Sequence, residues 1–216
     1  MLSRIATAKR PTMLDFSAPQ TPVLPDHAAR LAASVVTIGA FDGVHLGHQS
    51  LVRGAVAQAR RLGLPSVVWT FDPPPKVHFG RATPLISTPE KLARLATLGP
   101  DLIVLASFTP AYAARPASAF LADLARIAPV QVHVGADFRF GAGQAGDVAR
   151  LAQHFPVHVP DKLCCASGTP ISSSRIRALR HEGQDAAAQA LMTCGYPALA
   201  AGYQLIDDFP REDLTP

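Results

Sequence analysis

Residues Ser34 to Leu62 read SVVTI, GAFDGVHLGH, QSLVRGAVAQARRL, and this passage decides the fold. Ser34–Ile38 is short, apolar and β-branched, and it stops at Gly39, as a strand buried on both faces does. Gln49–Leu62 then places Leu51, Val52, Ala55, Val56, Ala59 and Leu62 on one helical stripe, with Gln58, Arg60 and Arg61 largely opposite, and Gly63 ends it. Between the two lies a glycine-rich turn with two histidines, His45 and His48, at the entrance of the helix. A strand, a tight turn and an amphipathic helix are the first half of a crossover unit.

The same alternation continues outward. Ser66–Phe71, Leu102–Leu105, Val130–Val134 and Val157–Val159 repeat the strand pattern. Helices are predicted from Ser87 or Thr88 to Leu98, and over Pro116–Ile127 and Asp147–His154. Two more follow over Arg175–Glu182 and Asp185–Met192. Strands joined by right-handed helical crossovers give a doubly wound parallel α/β sheet in a single domain, with ligands gathered at the strands' carboxyl ends. The expected organisation is a loosely structured leader over residues 1–33, a domain over 34–196 and a tail over 197–216. Pro11, Pro19, Pro22 and Pro25 argue for the loose leader.

Composition narrows the function classes. At 216 residues with 48% hydrophobic and 17% charged residues, the chain has enough apolar content for a core and is not disordered. A net charge of +4, without a basic block, suits phosphorylated ligands and gives no reason to expect nucleic acid. No run approaches the roughly 20 apolar residues that span a bilayer, so no membrane partner is expected. Three cysteines, Cys164, Cys165 and Cys194, form neither a disulfide framework nor paired zinc spacing, and the histidines show no metal-ligand spacing. The expected compartment is the reducing cytoplasm.

The chemistry concentrates in four segments. In Gly39–His48, helix N-terminal amides attract phosphate, Gly47 permits close backbone approach, and His45 and His48 can donate hydrogen bonds as charge builds on phosphate oxygens. Taken singly each histidine reads as an ordinary surface or core residue; their position between strand and helix favours catalysis. In Ile171-Ser172-Ser173-Ser174-Arg175-Ile176-Arg177, hydroxyls and guanidiniums meet a helix start. They read equally as caps or as an anion clamp. In Val134–Gly141, Asp137 stands at a strand's carboxyl end, placed to orient a ligand or magnesium, while Phe138 and Phe140 read as packing residues more than as ring-stacking ones, with Phe138 kept as a candidate cofactor contact. Gly141–Gly146 fits GxGxxG, but it does not come directly off its strand, so a dinucleotide site is discounted.

Together with Thr70–Pro75 (TFDPPP), these segments, GAFDGVHLGH, VGADFRFG and ISSSRIR, closely resemble the FMN adenylyltransferase module of the bacterial bifunctional riboflavin kinase/FAD synthetases. The likeness runs from about Val35 to Tyr196. It implies a Rossmann-like nucleotidyltransferase fold and the reaction of ATP, arriving with Mg2+, with FMN to give FAD and pyrophosphate. It further implies that His45 and His48 stabilise the α-phosphate, and that Ser173, Ser174 and Arg177 hold the ATP phosphates. Gly39 and Phe41 would form the turn beneath the nucleotide, Asp137 would orient ligand, and the loop of Asp72, Pro73 and Pro75 would face the flavin. Departures from the family pattern are also plain. Pro74 stands where the family typically has histidine, Gln144-Ala145 where it is often basic, and Cys194–Pro197 only loosely echoes its Gly-Arg-Pro-Tyr. The chain stops soon afterwards, so no riboflavin kinase domain is expected. Two other readings are a nucleotidyltransferase using a different phosphorylated acceptor or CTP, motivated by Pro74, and a non-catalytic flavin- or nucleotide-binding paralogue.

Overall fold

A computed structural model describes residues 20–165, 167–193 and 202–206. In chain order the strands are β1 (Thr21–Pro25), β2 (Ser34–Ile38), β3 (Ser66–Asp72), β4 (Leu102–Ser107), β5 (Pro129–His133), β6 (Arg139–Phe140), β7 (Gly146–Asp147), β8 (Val157–His158) and β9 (Tyr203–Leu205). The helices are α1 (Leu46–Leu62), α2 (Pro75–His78), α3 (Thr88–Ala96), α4 (Pro110–Ala113), α5 (Ala117–Ala125), α6 (Val148–Ala152), α7 (Ser173–His181) and α8 (Asp185–Met192). Seven strands form one sheet in the order β8-β5-β2-β3-β4-β1-β9, every pairing parallel, while β6 and β7 make a separate antiparallel ribbon.

Alternate strand residues feed two cores. On one face Val36, Ile38, Trp69 and Val104 pack with Phe120 and Leu124 of α5. On the other Val23, Val68, Ile103 and Leu105 pack with Val52 and Val56 of α1 and Leu92 and Leu95 of α3. The sheet is therefore covered on both sides, which is why its strands are continuous apolar runs. The chain steps from β2 towards β3 and β4 on one side and reaches β5 and β8 on the other. The change of direction opens a crevice at the carboxyl ends of β2 and β5. The turn after β2, the loop after β3, the loop after β4 and the turn after β5 all emerge along that edge.

Three details differ from the sequence expectations. Thr21–Pro25, expected inside a loose leader, pairs in parallel with β4 and β9 and buries Val23 completely. Its prolines are tolerated because only the three-residue β9 lies beyond it, so β1 is nearly an edge strand. Tyr203–Leu205, expected in the tail, supplies that last strand. Leu62, assigned to the apolar stripe of α1, is 49% exposed, because it is the final residue of α1 before the left-handed turn at Gly63. Residues 1–19 of the expected leader and the Cys194–Pro197 segment lie outside the described residues.

Candidate active site

The turn after β2 holds its two histidines through local geometry. His45 is the N-cap of α1, and its Nδ1 accepts the backbone N–H of His48 at 3.2 Å. That bond fixes the tautomer: a neutral His45 carries its proton on Nε2, which remains a donor. The two imidazoles stack with centroids 3.5 Å apart, and the Phe41 ring meets His48 edge-on at 5.3 Å. Phe41 takes a positive φ of 48° to reach that position. A Cβ on Gly39 would lie 3.0 Å from the Phe41 ring, and one on Gly47 would lie 3.3 Å from the His45 ring and 3.5 Å from the Ile171 carbonyl oxygen. The glycines thus allow ring and turn to close together. Burial pushes the His45 pKa down to about 4. Burial, reinforced by His45, also lowers His48 well below its usual value. Both rings are neutral donors at pH 7. The buried Nδ1 of His48 has no partner among the described residues.

The second segment reaches the same place from the far end of the chain. Ser172 caps α7, its Oγ accepting from the Arg175 amide at 3.3 Å, so capping accounts for the first serine. Ser173 donates to the backbone carbonyl of Asp42 at 2.9 Å, and Arg177 forms an ion pair with the Asp42 carboxylate and donates to the Thr83 carbonyl at 2.9 Å. The other Asp42 oxygen accepts the Leu85 amide at 2.9 Å. Asp42 therefore locks the histidine turn to α7. No local signal singled it out, since its partners lie 43 to 135 positions away.

Ser174 and Arg177 face a cavity of about 880 Å³ that runs from α7 towards the loops after β3 and β4. Pro75 and Lys76 line it on the β3 side, and Phe71, Phe79, Phe108 and Tyr112 form an aromatic wall. Phe108 is the hub of that wall, with ring centroids 5.8 Å from Phe71, 6.0 Å from Phe79 and 5.5 Å from Tyr112. Arg81, Arg115 and Arg139 also line the space, and among the described residues no carboxylate does. Arg115 is held by Asp123 at 2.6 Å and lies 5.0 Å above the Tyr112 ring. The expectation that ligands gather at carboxyl strand ends pointed to this region, but the individual aromatic and basic residues come from separate loops with no shared spacing.

The remaining expected site residues take supporting positions. His45, His48, Asp72 and Pro73 do not line the cavity; the Asp72 carboxylate accepts the Thr88 hydroxyl and lies 4.0 Å from the Lys91 ammonium. Pro74 is buried and is the N-cap of α2, its carbonyl accepting the amides of Val77 and His78. Asp137 is exposed and folds back over Gly135. Phe138 packs against Phe120 and Phe140, as the packing reading expects. Gly141 and Gly146 serve packing: a Cβ would fall 2.6 Å from the Ala117 backbone at the first and 2.5 Å from the Phe140 ring at the second. Among the described residues no group of three His, Cys, Asp or Glu side chains could hold a metal ion.

Comparison with known proteins adds the family. The model of the FAD synthetase family matches residues 27–175. The chain belongs to the FAD synthetase family. Among the relatives of this FAD synthetase family member is the "Putative bifunctional riboflavin kinase/FMN adenylyltransferase" of Geobacillus thermodenitrificans, 50% identical over 71% of this chain and 86% of that protein. The bifunctional riboflavin kinase/FMN adenylyltransferase of Escherichia coli K12 is 34% identical over 78% of this chain and 56% of its own length, so the chain spans little more than half of that relative. The FAD synthetase of Listeria monocytogenes is 30% identical, over 79% and 72%. Among solved structures, one described as a macrolide-efflux protein from Streptococcus pneumoniae shares the fold with a TM-score of 0.68 at 27% identity, over 81% of this chain and 60% of that one.

Proposed function

We infer that this family member is an FMN adenylyltransferase, transferring AMP from ATP to the phosphate of FMN and giving FAD and pyrophosphate. The observation that carries the inference is the junction of the histidine turn with α7 beside an aromatic, cationic cavity. ATP enters as its magnesium complex, the ion being part of the substrate. An oxygen of the FMN phosphate attacks the α-phosphorus in line, a new P–O bond forms, the bond to the β-phosphate oxygen breaks, and pyrophosphate carries away the released charge. No nucleophile from the protein is required.

The roles follow from placement. His45 and His48, neutral through burial, donate to the α-phosphate as its charge grows. The α1 N-terminus behind them favours the same anion. Ser174 and Arg177 grip the ATP phosphates, with Asp42 setting the direction of the guanidinium. Ser173 acts through the turn, since its hydroxyl is committed to the Asp42 carbonyl. Gly39, Phe41 and Gly47 shape the turn under the nucleotide. Pro75 and Lys76 face the acceptor, whose ring system meets the aromatic wall. Asp72 and Pro73 hold that loop, Phe138 backs the cavity through Phe140, and Asp137 is assigned to orienting ligand. The proposed compartment is the cytoplasm, in keeping with free thiols at Cys164 and Cys165. Among the described residues no helix is long and apolar enough to cross a membrane, and neither a membrane nor a nucleic-acid partner is proposed.

The test is direct. Purified protein is incubated with magnesium-ATP or magnesium-CTP and FMN, and FAD and pyrophosphate are followed together. FAD formation with ATP, slowed about 100-fold or more in folded His48→Ala, is the expected result. Pyrophosphate released only with CTP or another acceptor would assign a different substrate, and flavin binding without turnover would make the protein a non-catalytic binder.

A further inference from the structure

One buried cation at the carboxyl edge has no part in the roles above. Lys91 sits on the inward face of α3 beside Leu92 and Leu95, with a side chain only 2% exposed. Packing alone calls for a leucine or methionine there, because an ammonium removed from water is costly unless it is paired. Its Nζ donates to the Phe71 carbonyl at 2.6 Å and stands 4.0 Å from Asp72 Oδ1. On the next turn of the same helix Arg94 donates to the Gly43 carbonyl, beside Asp42, at 3.4 Å. Burial lowers the Lys91 ammonium to about 8, which leaves it protonated at neutral pH.

These contacts tie α3 to the loop after β3 and to the turn that holds Arg177. Asp72 begins the loop that carries Pro75 and Lys76, and Thr88, one turn before Lys91 on α3, donates to the same Asp72 oxygen. Asp42 holds Arg177. Phe71, whose carbonyl accepts from Lys91, presents its ring to the cavity wall. Lys91 itself does not line the cavity.

We propose that Lys91 is a positioning residue that fixes the Asp72–Pro75 loop of the acceptor side relative to the Asp42–Arg177 pair of the nucleotide side. The proposal rests on the adenylyltransferase reading of the site. Its physical core is charge balance at Asp72: one buried ammonium compensates that carboxylate, while α3, through Arg94, also holds the turn that carries Asp42. Removing the cation leaves Asp72 uncompensated while Asp42 keeps Arg177, so the acceptor loop is the side that moves. Removing cation and carboxylate together leaves no unbalanced charge.

The experiment compares wild type, Lys91→Met, Lys91→Arg, Asp72→Asn and Lys91→Met/Asp72→Asn in the full chain. It measures kcat, KM for each substrate, and FMN affinity by quenching of flavin fluorescence. Lys91→Met is expected to raise KM and Kd for FMN about 10-fold, with KM for ATP changed less than about 3-fold. Lys91→Arg keeps the charge and stays within about 3-fold of wild type for FMN, and the double variant recovers at least half of the loss on a logarithmic scale. A folded Lys91→Met with unchanged FMN affinity overturns the proposal, as does an equal loss for both substrates. If Lys91→Met does not fold, the double variant decides: FMN affinity near that of Asp72→Asn supports the proposal, and a further 10-fold loss overturns it. Wild type that binds FMN without making FAD overturns the catalytic reading alone, because the FMN binding constants still test Lys91. Wild type that does not bind FMN overturns both.

Discussion

At the scale of single residues, the proposed reaction uses the paired imidazoles because they are kept neutral. A protonated histidine beside a phosphate would bind substrate tightly before reaction, whereas a neutral N–H donor gains strength as charge accumulates on the phosphate oxygens. The same burial has a consequence for stability. The folded-state pKa of His45, about 4, lies below the unfolded value near 6.5, so the unfolded chain takes up the extra proton. The contribution of neutral His45 is complete above pH 6.5 and is lost as pH falls towards 4, with a total on the order of 3 kcal/mol. Thermal unfolding of wild type should therefore steepen its decline over that interval relative to His45→Asn, whose amide oxygen replaces the Nδ1 acceptor and does not titrate. Parallel declines would remove His45 from the account of acid sensitivity. His45 and His48 were legible in sequence because they flank a glycine between a strand and a helix. Asp42 and Lys91 were not, since their meaning comes from partners brought in by the sheet.

At the scale of elements, most of the framework was written in periodicity. The strand at Ser34–Ile38 has the bounds that its β-branched run gives, and the others agree to within a few residues. β1 escaped because two prolines in five residues look like a leader, and only its neighbours in the sheet make it a strand. The glycines of the β6–β7 ribbon illustrate the opposite problem, in which a familiar pattern has a different cause. Gly141 adopts φ 75° and ψ 168°, a conformation nearly confined to glycine, directly against the Ala117 backbone. Gly141→Ala should cost about 2–4 kcal/mol in urea unfolding, from backbone strain and overpacking together. A loss below about 0.5 kcal/mol would mean that the ribbon is free to shift away from α5.

At the scale of the whole molecule, the sheet acts as a meeting place for segments far apart in the chain. The turn after β2 provides the histidines, the loop after β3 carries Pro75 and Lys76, the region after β4 contributes Phe108 and Tyr112, and α7 returns with Ser174 and Arg177. One ion pair joins Asp42 of the histidine turn to Arg177 of α7, and another joins Asp72 at the start of the loop after β3 to Lys91 of α3. The order of motifs along the sequence marked the histidine turn and α7, while the aromatic wall of the cavity emerged only when loops from three elements were folded together. The most direct measurement is an experimental structure of the protein with a non-hydrolysable magnesium-ATP analogue. The account predicts the α-phosphate beside His45 and His48, with the outer phosphates reaching Ser174 and Arg177. A polyphosphate bound elsewhere, with those four side chains untouched, would contradict it.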